Sequence, residues 1–304
     1  MASITGLNDD IISSAALKAF VDSLHPLSAF SVNYNAEAAR KGEVVSIPLI
    51  SSITASTFNN TYEGADGDVT LTAREVTIDK HFLSTVDFTD TQWSKSSALT
   101  PQMLADIGAE QGRAVAQAFI SSVWSMITTA NYGAAVASFT SASFSMAEVR
   151  KARLELTKAK APQNDRSLFL EPEAYDALLS DSTNILANLN FGSEGVREGV
   201  VRRLAGLNVY ESTLIPATNV GTSITLAAFA VHPSAIAVAI RTLQPQAPSE
   251  YLEARTIVDP VSGIGLGYRR HYNTANGTHF LNFEVVGGYT YGVTAGLKIL
   301  AKKA

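Results

Sequence analysis

TPQMLADIGAEQGRAVAQAFISSVWSMIT, residues 100–128, predicts one unusually long helix. Thr100 suits the N-cap, because its hydroxyl accepts from a free amide, and Pro101 suits the first helical position, because its φ is preset. Apolar residues then recur at spacings of three and four, so one face is expected to be buried along about 40 Å of helix. The expected core positions of this helix are Leu104, Ile107, Val115, Phe119 and Val123.

A long hairpin is predicted in front of this helix. Residues 44–50 form its first strand, in which Pro48 marks an edge or a bulge because proline cannot donate to a ladder. Asp66-Gly67 supplies a turn at the tip, and the returning strand is expected to end near Asp90. One small domain cannot bury both faces of such a hairpin. Its spare edges and faces are therefore expected to meet other copies of the chain.

The rest of the sequence mixes helix and strand patterns, which gives an α+β fold class. The predicted helices lie at 9–24, from a capping box at Ser145 and Glu148 to Lys160, at 172–179 and at 233–241. The predicted strands lie at 166–170, 207–210 and 223–228, with three more after Glu250. Residues 182–199 are rich in Asn, Ser and Gly and are expected to form a mobile loop.

The composition excludes several classes of protein. A length of 304 residues is ample for a real core, and a net charge of −5 argues against a strongly basic nucleic-acid binder. The absence of cysteine removes disulfides, thiol catalysis and thiolate metal sites. Only 17% of the residues are charged, against about 25% in ordinary soluble domains, so partners are expected to cover much of the surface. No secretory signal is expected, and the apolar run 224–240 is interrupted at His232 and Pro233, which argues against a membrane span.

Three motifs resemble a known family, the major capsid proteins of tailed double-stranded DNA bacteriophages with the Hong Kong 97-type fold. They are GVVRRLAGLNVYES at 199–212, AFAVHPSAIA at 228–237 and GLGYRRHY at 265–272. The order of the predicted parts agrees with that family over nearly the entire chain. The motifs are architectural rather than chemical, and encapsulin compartments share the fold, so an encapsulin-like shell remains the alternative interpretation.

The resemblance implies a division of the chain and a set of partners. It implies an N-terminal arm at 1–42, an extended E-loop at 43–90, a peripheral domain at 91–172 and 246–285, and an axial domain at 173–245 and 286–304. The expected function is self-assembly into hexamers and pentamers of an icosahedral head that encloses DNA, assembled in the host bacterial cytoplasm. The expected partners are further copies, a separate scaffolding protein, a portal and packaged DNA held without sequence specificity, with a decoration protein as a further candidate.

Two features of the sequence depart from relatives in this family. Some relatives cross-link a loop lysine to a neighbouring asparagine, but residues 58–68 contain no lysine and Lys80 lies lower on the hairpin, so that chemistry is not expected here. Others carry a long cleaved N-terminal segment, whereas about 40 residues precede the hairpin in this chain. A separate scaffolding protein is the expected arrangement.

Charge is unevenly distributed along the chain. Residues 43–90 contain eight acids and two bases, a net charge of −6, and residues 146–166 contain six bases and three acids, a net charge of +3. The acidic candidates at the loop tip are Glu63, Asp66 and Asp68. The basic candidates are Arg150, Lys151, Arg153 and Lys158. The basic segment is expected to meet the acidic loop of a neighbour, to face packaged DNA, or to be a solvated helix face.

Chemical signatures in the sequence are weak. Gly263, Gly265 and Gly267 suggest a phosphate loop, but they lie in a strand-like run without a following helix. The five histidines are scattered, and His25 and His232, each before a proline, are expected at turns or at the start of a helix. No catalytic residue, metal site or cofactor is expected. A small-molecule enzyme that uses the Gly263 to Gly267 loop remains a remote alternative.

Overall fold

The computed structural model describes residues 5–38, 42–50, 71–94, 100–140, 143–181, 203–243 and 250–303. Its helices are α1 (Thr5–Ser23), α2 (Asp90–Ser94), α3 (Pro101–Trp124), α4 (Thr129–Tyr132), α5 (Met146–Lys158) and α6 (Pro172–Ser180). Its first strands are β1 (Ser31–Ala38), β2 (Val44–Ile50), β3 (Leu71–Thr77), β4 (Lys80–Thr89), β5 (Ala137–Phe139), β6 (Ser167–Leu170), β7 (Arg203–Leu204) and β8 (Leu207–Glu211). The remaining strands are β9 (Asn219–Gly221), β10 (Ile224–Val231), β11 (Ile236–Thr242), β12 (Glu253–Val258), β13 (Gly265–Asn273), β14 (Thr278–Tyr291) and β15 (Leu297–Lys303).

These strands form two mixed sheets and one separate hairpin. The first sheet runs β1-β11-β14-β13-β12, and β4 also pairs with β14. The second runs β5-β15-β10-β6-β8-β7, with β9 on β10. β2 and β3 pair antiparallel with each other. The parallel pairs are β1 with β11, β15 with β5 and β6 with β8. The fold is therefore α+β, as predicted.

The second sheet separates two hydrophobic cores. Phe169, Phe229 and Ile299 point to the larger core, which also contains α1, α3 and the inner face of the first sheet. Their neighbours along the strands, Leu168, Ala230 and Leu300, point to the smaller core under α5 and α6. Alternation along a strand sends successive side chains to opposite faces, so strands that are buried on both faces read as continuous apolar runs.

The long helix begins as the sequence predicts. The Thr100 hydroxyl accepts from the Met103 amide at 3.3 Å, and Pro101 occupies the first turn. Of the expected core positions, Leu104, Val115, Phe119 and Val123 are buried, whereas Ile107 is only half-buried. Phe119 packs edge-on against Phe82 of β4, and Trp124 at the end of the helix reaches Phe169 and Phe229 of the second sheet.

The helix α1 packs unusually close to α3, and two glycines permit the approach. A Cβ on Gly108 would lie 2.3 Å from the Ile12 carbonyl oxygen, and one on Gly112 would lie 2.1 Å from that of Ala16. Both distances are shorter than 3.0 Å, which real Cβ contacts essentially never are. A side chain at either position would therefore push α1 away from α3. The predicted helix in the N-terminal arm is thus part of the core rather than a free arm.

One predicted helix is wrong. Residues 233–241 form a short 3-10 turn, Pro233–Ala235, followed by the strand β11. Ile236, Val238 and Ile240 alternate with alanines, and every residue of β11 is buried. A short apolar run that is buried on both faces has no amphipathic period. The β-branched residues at every second position were therefore a better indication of a strand than of a helix.

The structure also differs from the predicted course of the hairpin. The hairpin strand β3 ends at Thr77, and β4 joins the first sheet through β14 instead of continuing the hairpin to Asp90. The segment from β5 to β6 joins the second sheet, although the predicted boundaries group it with α3. Strand pairing is a long-range property, so local sequence patterns do not predict which strands become neighbours. The division into peripheral and axial domains remains a prediction.

Candidate functional site

The base of the hairpin is fixed on the first sheet. Ile47 and Val76 bury their side chains against Ala237 and Ala239 of β11. The backbone comes close enough that a Cβ on Gly288 would lie 1.9 Å from the Thr77 carbonyl oxygen. This contact holds the root of the hairpin in place.

The other face of the hairpin has no cover from the described part of the chain. Val44 is 50% exposed, and Ser46, Glu75 and Thr77 on the same face are also exposed. Within the described residues, neither β2 nor β3 pairs with a strand of the two larger sheets. The tip residues Glu63, Asp66 and Asp68 lie outside the described residues. The hairpin therefore presents a mostly polar face that includes Val44, and each of its strands has one edge that pairs with no other described strand.

A buried ionic network ties α1 to the first sheet. The Asp9 carboxylate accepts from the Tyr268 hydroxyl at 2.9 Å and lies 3.1 Å from the Arg270 guanidinium. Asp9 and Arg270 are both almost fully buried. Burial raises the pKa of Asp9, and the hydrogen bond from Tyr268 and the charge of Arg270 act in the opposite direction. Sequence reasoning missed this network, because nothing in the local sequence places Asp9 beside residue 270.

A second buried carboxylate lies on the opposite face of the same sheet. Glu284 of β14 is 3% exposed, and its oxygens lie 2.8 Å from His81 Nε2 and 2.5 Å from an Arg269 nitrogen. The Arg269 guanidinium also lies over the Tyr251 ring, and its Cζ atom is 5.5 Å from the centre of the ring. The buried Glu284 carboxylate is paired with the Arg269 guanidinium, which is the usual condition for a buried charge, and the arrangement joins β4, β13 and β14.

The predicted basic residues lie together on α5. Arg150, Lys151, Arg153 and Lys158 are all exposed on this helix, which begins at the predicted capping box. Three of them line a shallow groove of about 500 Å³ with Leu154 and Thr157. The neighbouring Arg166 is buried, and burial together with the charge of Arg153 lowers its pKa.

Acidic residues that the sequence analysis did not single out lie on α6. Glu173 and Asp176 are exposed on its outer face. Glu171 and Glu173 approach Lys302 of β15 at 3.2 and 2.9 Å. The spacing of Glu173 and Asp176 along α6 was visible in the sequence, but the shared hydrophobic core of α6 and α5 was not.

The glycines and histidines that were considered as ligand-binding residues have structural roles. Gly263, at φ +71°, lies in the turn between β12 and β13. In the same turn, hydrogen bonds from Ser262 lower the pKa of the Asp259 carboxyl group. Gly267 lies in β13, where a Cβ would meet the Glu284 side chain at 3.0 Å, so close packing accounts for it. His232 caps the 3-10 turn by accepting from the Ser234 amide. Within the described residues, no group of three or more His, Asp or Glu side chains is placed to hold a metal.

Comparison with known proteins identifies the family. The model of the phage capsid protein family matches residues 72–283. Solved structures with a similar fold include the capsid of Ralstonia phage GP4, with a TM-score of 0.58 and 13% identity over 91% of this chain and 87% of that chain. The capsid of cyanophage P-SCSP1u has a TM-score of 0.55 and 15% identity over 90% and 86% of the two chains. For Mycobacterium phage Che8 the values are 0.54 and 17% over 86% and 85%.

Two further findings complete the comparison. A search of curated proteins by sequence finds no match. None of the helices in the described ranges is long and apolar enough to cross a membrane. The structural matches have low identity and establish the shared fold, which is of the Hong Kong 97 type. The family match covers more than two thirds of the chain, and the chain therefore belongs to the phage capsid protein family.

Proposed function

We propose that this chain assembles into the hexamers and pentamers of an icosahedral phage head that encloses double-stranded DNA. Assembly takes place in the host bacterial cytoplasm, with a separate scaffolding protein and a portal as partners. DNA is held without sequence specificity, through its phosphates, so that this contact weakens as salt rises. The family match supports the structural role, and the hairpin supports the assembly.

The hairpin is the observation that carries the proposal. An isolated two-stranded hairpin is marginally stable in water, and free strand edges are prone to pairing with other chains. In this chain the root is fixed by Ile47, Val76 and the Thr77 contact with Gly288, while the described residues leave the outer face uncovered. A rigid root with an open face is suited to a contact with a neighbouring copy. The low content of charged residues agrees with a surface that partners cover.

Expression with the neighbouring phage genes tests the proposal. The purified material is analysed by native mass spectrometry for rings of six and five copies and by negative-stain imaging for closed shells. We expect both kinds of ring and closed shells of uniform diameter. A chain that stays monomeric in every combination of partners and binds a small molecule saturably would contradict the proposal and support the enzyme alternative. Shells that enclose a cargo enzyme instead of DNA would favour an encapsulin-like compartment.

A further inference from the structure

The outward face of α5 carries a row of basic side chains. Arg150, Lys151, Arg153 and Lys158 are exposed on this face, while the opposite side of the helix is buried in the smaller core. At 1.5 Å per residue, the row extends over about 12 Å of the helix. The larger core, which contains α1 and α3, lies on the other face of the second sheet. The row therefore points away from α1 and α3.

Two of these side chains have no carboxylate partner. Lys151 and Lys158 form ion pairs with glutamates of the same helix, at 3.7 and 2.7 Å. Arg150 and Arg153 have no ionic partner among the described residues. Their guanidinium groups are therefore available to anions from outside the chain, and one guanidinium can bind two oxygens of a phosphate at once.

The basic side chains line an open groove of about 500 Å³. Arg150, Lys151 and Arg153 contribute to its lining together with Thr157. In the described part of the chain, no carboxylate lines this groove. Leu154 also lines it and is 52% exposed, but single exposed apolar residues are normal on protein surfaces and need no apolar partner. The groove therefore suits an extended polyanion.

The rest of the chain is acidic. The whole chain has a net charge of −5 and residues 146–166 carry +3, so the remaining residues together carry −8. Such a chain repels the phosphates of DNA except where a local region is positive. A contact that attracts DNA therefore requires a basic patch, and α5 provides one.

The length of the row is compatible with a DNA backbone. Each strand of a duplex carries one phosphate for about 3.4 Å of its length. A row of about 12 Å thus lies beside the phosphates of about three base pairs. Contacts of this kind depend on charge and carry no sequence information, as the enclosure of a whole genome requires.

A protein partner fits this face less well. The centre of a protein interface is usually depleted of charged residues and enriched in aromatic ones. Here four charged side chains surround a single exposed leucine. The acidic hairpin tip of a neighbouring copy, at Glu63, Asp66 and Asp68, is the competing occupant, and the experiment separates it from DNA.

We propose that the outward face of α5 is the site at which the shell contacts the phosphates of packaged DNA, so that this face of the second sheet points to the interior of the head. Arg150 and Arg153 bind phosphates directly. Lys151 and Lys158 contribute less, because each is already paired with a carboxylate. This inference rests on the proposed function, since it assigns the DNA contact of the head.

The salt dependence of DNA binding tests the site on the unassembled subunit. Affinity for a short duplex of arbitrary sequence is measured by fluorescence anisotropy over a range of salt concentrations. The slope of log K against log salt counts phosphate contacts, at about 0.9 per contact. The variant Arg150→Gln, Arg153→Gln is expected to reduce the slope by about 1.8 and to weaken binding equally for every sequence. Because both positions are exposed, its denaturant midpoint is expected to stay close to that of the parent chain.

A second groove on the other side of the molecule provides a matched control. This groove of about 420 Å³ lies between α1 and α3 and is lined by Lys18 and Arg113, but also by Asp22 and Asp106. The variant Lys18→Gln, Arg113→Gln removes the same number of charges and is expected to leave the slope unchanged.

A conservative change separates charge from packing. The variant Arg150→Lys, Arg153→Lys keeps both positive charges and is expected to keep most of the slope, because a phosphate contact depends on charge. A slope as small as that of the glutamine variant would show that the arginines act through packing and would contradict the phosphate contact.

Chemical modification of particles tests the direction in which α5 points. Lys151 and Lys158 are acetylated with a small amine reagent in DNA-filled and in empty shells, and mass spectrometry measures the extent at each lysine. Modification at both positions is expected to be lower in the filled shells, because DNA covers the face. Equal modification in the two kinds of shell would contradict the site.

Several results would overturn the assignment. An unchanged slope in the glutamine variant would show that the row is only a solvated helix face, and an equal decrease in the control would reduce the effect to net charge. Loss of shell assembly with unchanged DNA binding would assign the face to an acidic surface of a neighbouring copy. Parent shells together with an unchanged slope would refute the α5 site alone, whereas a parent chain that forms no shells would refute the proposed function.

Discussion

Replacing Gly112 by alanine is expected to destabilise the subunit, although the same change in an ordinary helix is stabilising. Alanine is favoured over glycine in a helix interior by about 1 kcal/mol. Here the new Cβ would lie 2.1 Å from the Ala16 carbonyl oxygen, about 0.9 Å inside the 3.0 Å limit of real Cβ contacts. The atom it meets belongs to the backbone of α1, so relief requires movement of the whole helix rather than rotation of a side chain.

The expected size follows from these two opposing effects. Overpacking of a well-packed core typically costs about 1–3 kcal/mol, and a clash with helix backbone belongs at the upper end of that range. After the gain of about 1 kcal/mol in helix propensity, the net loss of unfolding free energy is expected to be about 2 kcal/mol. Urea unfolding of the unassembled subunit measures it as a lower midpoint with an unchanged slope. Ala118→Gly on the exposed face of α3 is the matched control and is expected to lose about 1 kcal/mol from helix propensity alone. A midpoint that rises in Gly112→Ala would refute the close packing of α1 on α3.

Three further changes test other parts of the structure. Phe119→Ala removes a fully buried ring and is expected to lower the unfolding free energy by about 3–5 kcal/mol, and an unmoved denaturant midpoint would show that this face of α3 is not core. Asp9→Ala leaves the buried Arg270 without its carboxylate and is expected to cost about 3–5 kcal/mol, whereas the exposed Asp10→Ala is expected to cost under about 1 kcal/mol, as read from thermal or urea unfolding. Replacing 59–68 by Gly-Gly is expected to leave the subunit folded and to block shell assembly, and closed shells in negative-stain images of this variant would contradict the role of the hairpin.

Local signals in the sequence predicted the elements that depend on local physics. The N-cap at Thr100, the capping box at Ser145 and the proline at the start of α6 each satisfy or remove amide groups within one helical turn, so a single sequence contains the whole determinant. Length and periodicity made α3 the most secure prediction. Ile107 lies on the apolar stripe but is only half-buried, because a position on that stripe is buried only where another element covers it.

The errors concern contacts between distant parts of the chain. Residues 233–241 carry no amphipathic period because β11 is buried on both faces, and the choice between strand and helix depended on the partners β1 and β14. The assignment of β4 to the hairpin failed for the same reason. The basic residues of α5 were found by charge alone, whereas the contacts of Glu171 and Glu173 with Lys302 join distant parts of the chain and were not predicted.

Cryo-electron microscopy of the particles formed by the parent chain would show both the shell and the contacts of each copy. We expect closed shells built of hexamers and pentamers, in which the outer face of β2 and β3 lies against a neighbouring copy. Particles without rings of six and five copies, or shells in which that face and both hairpin edges remain in solvent, would contradict it.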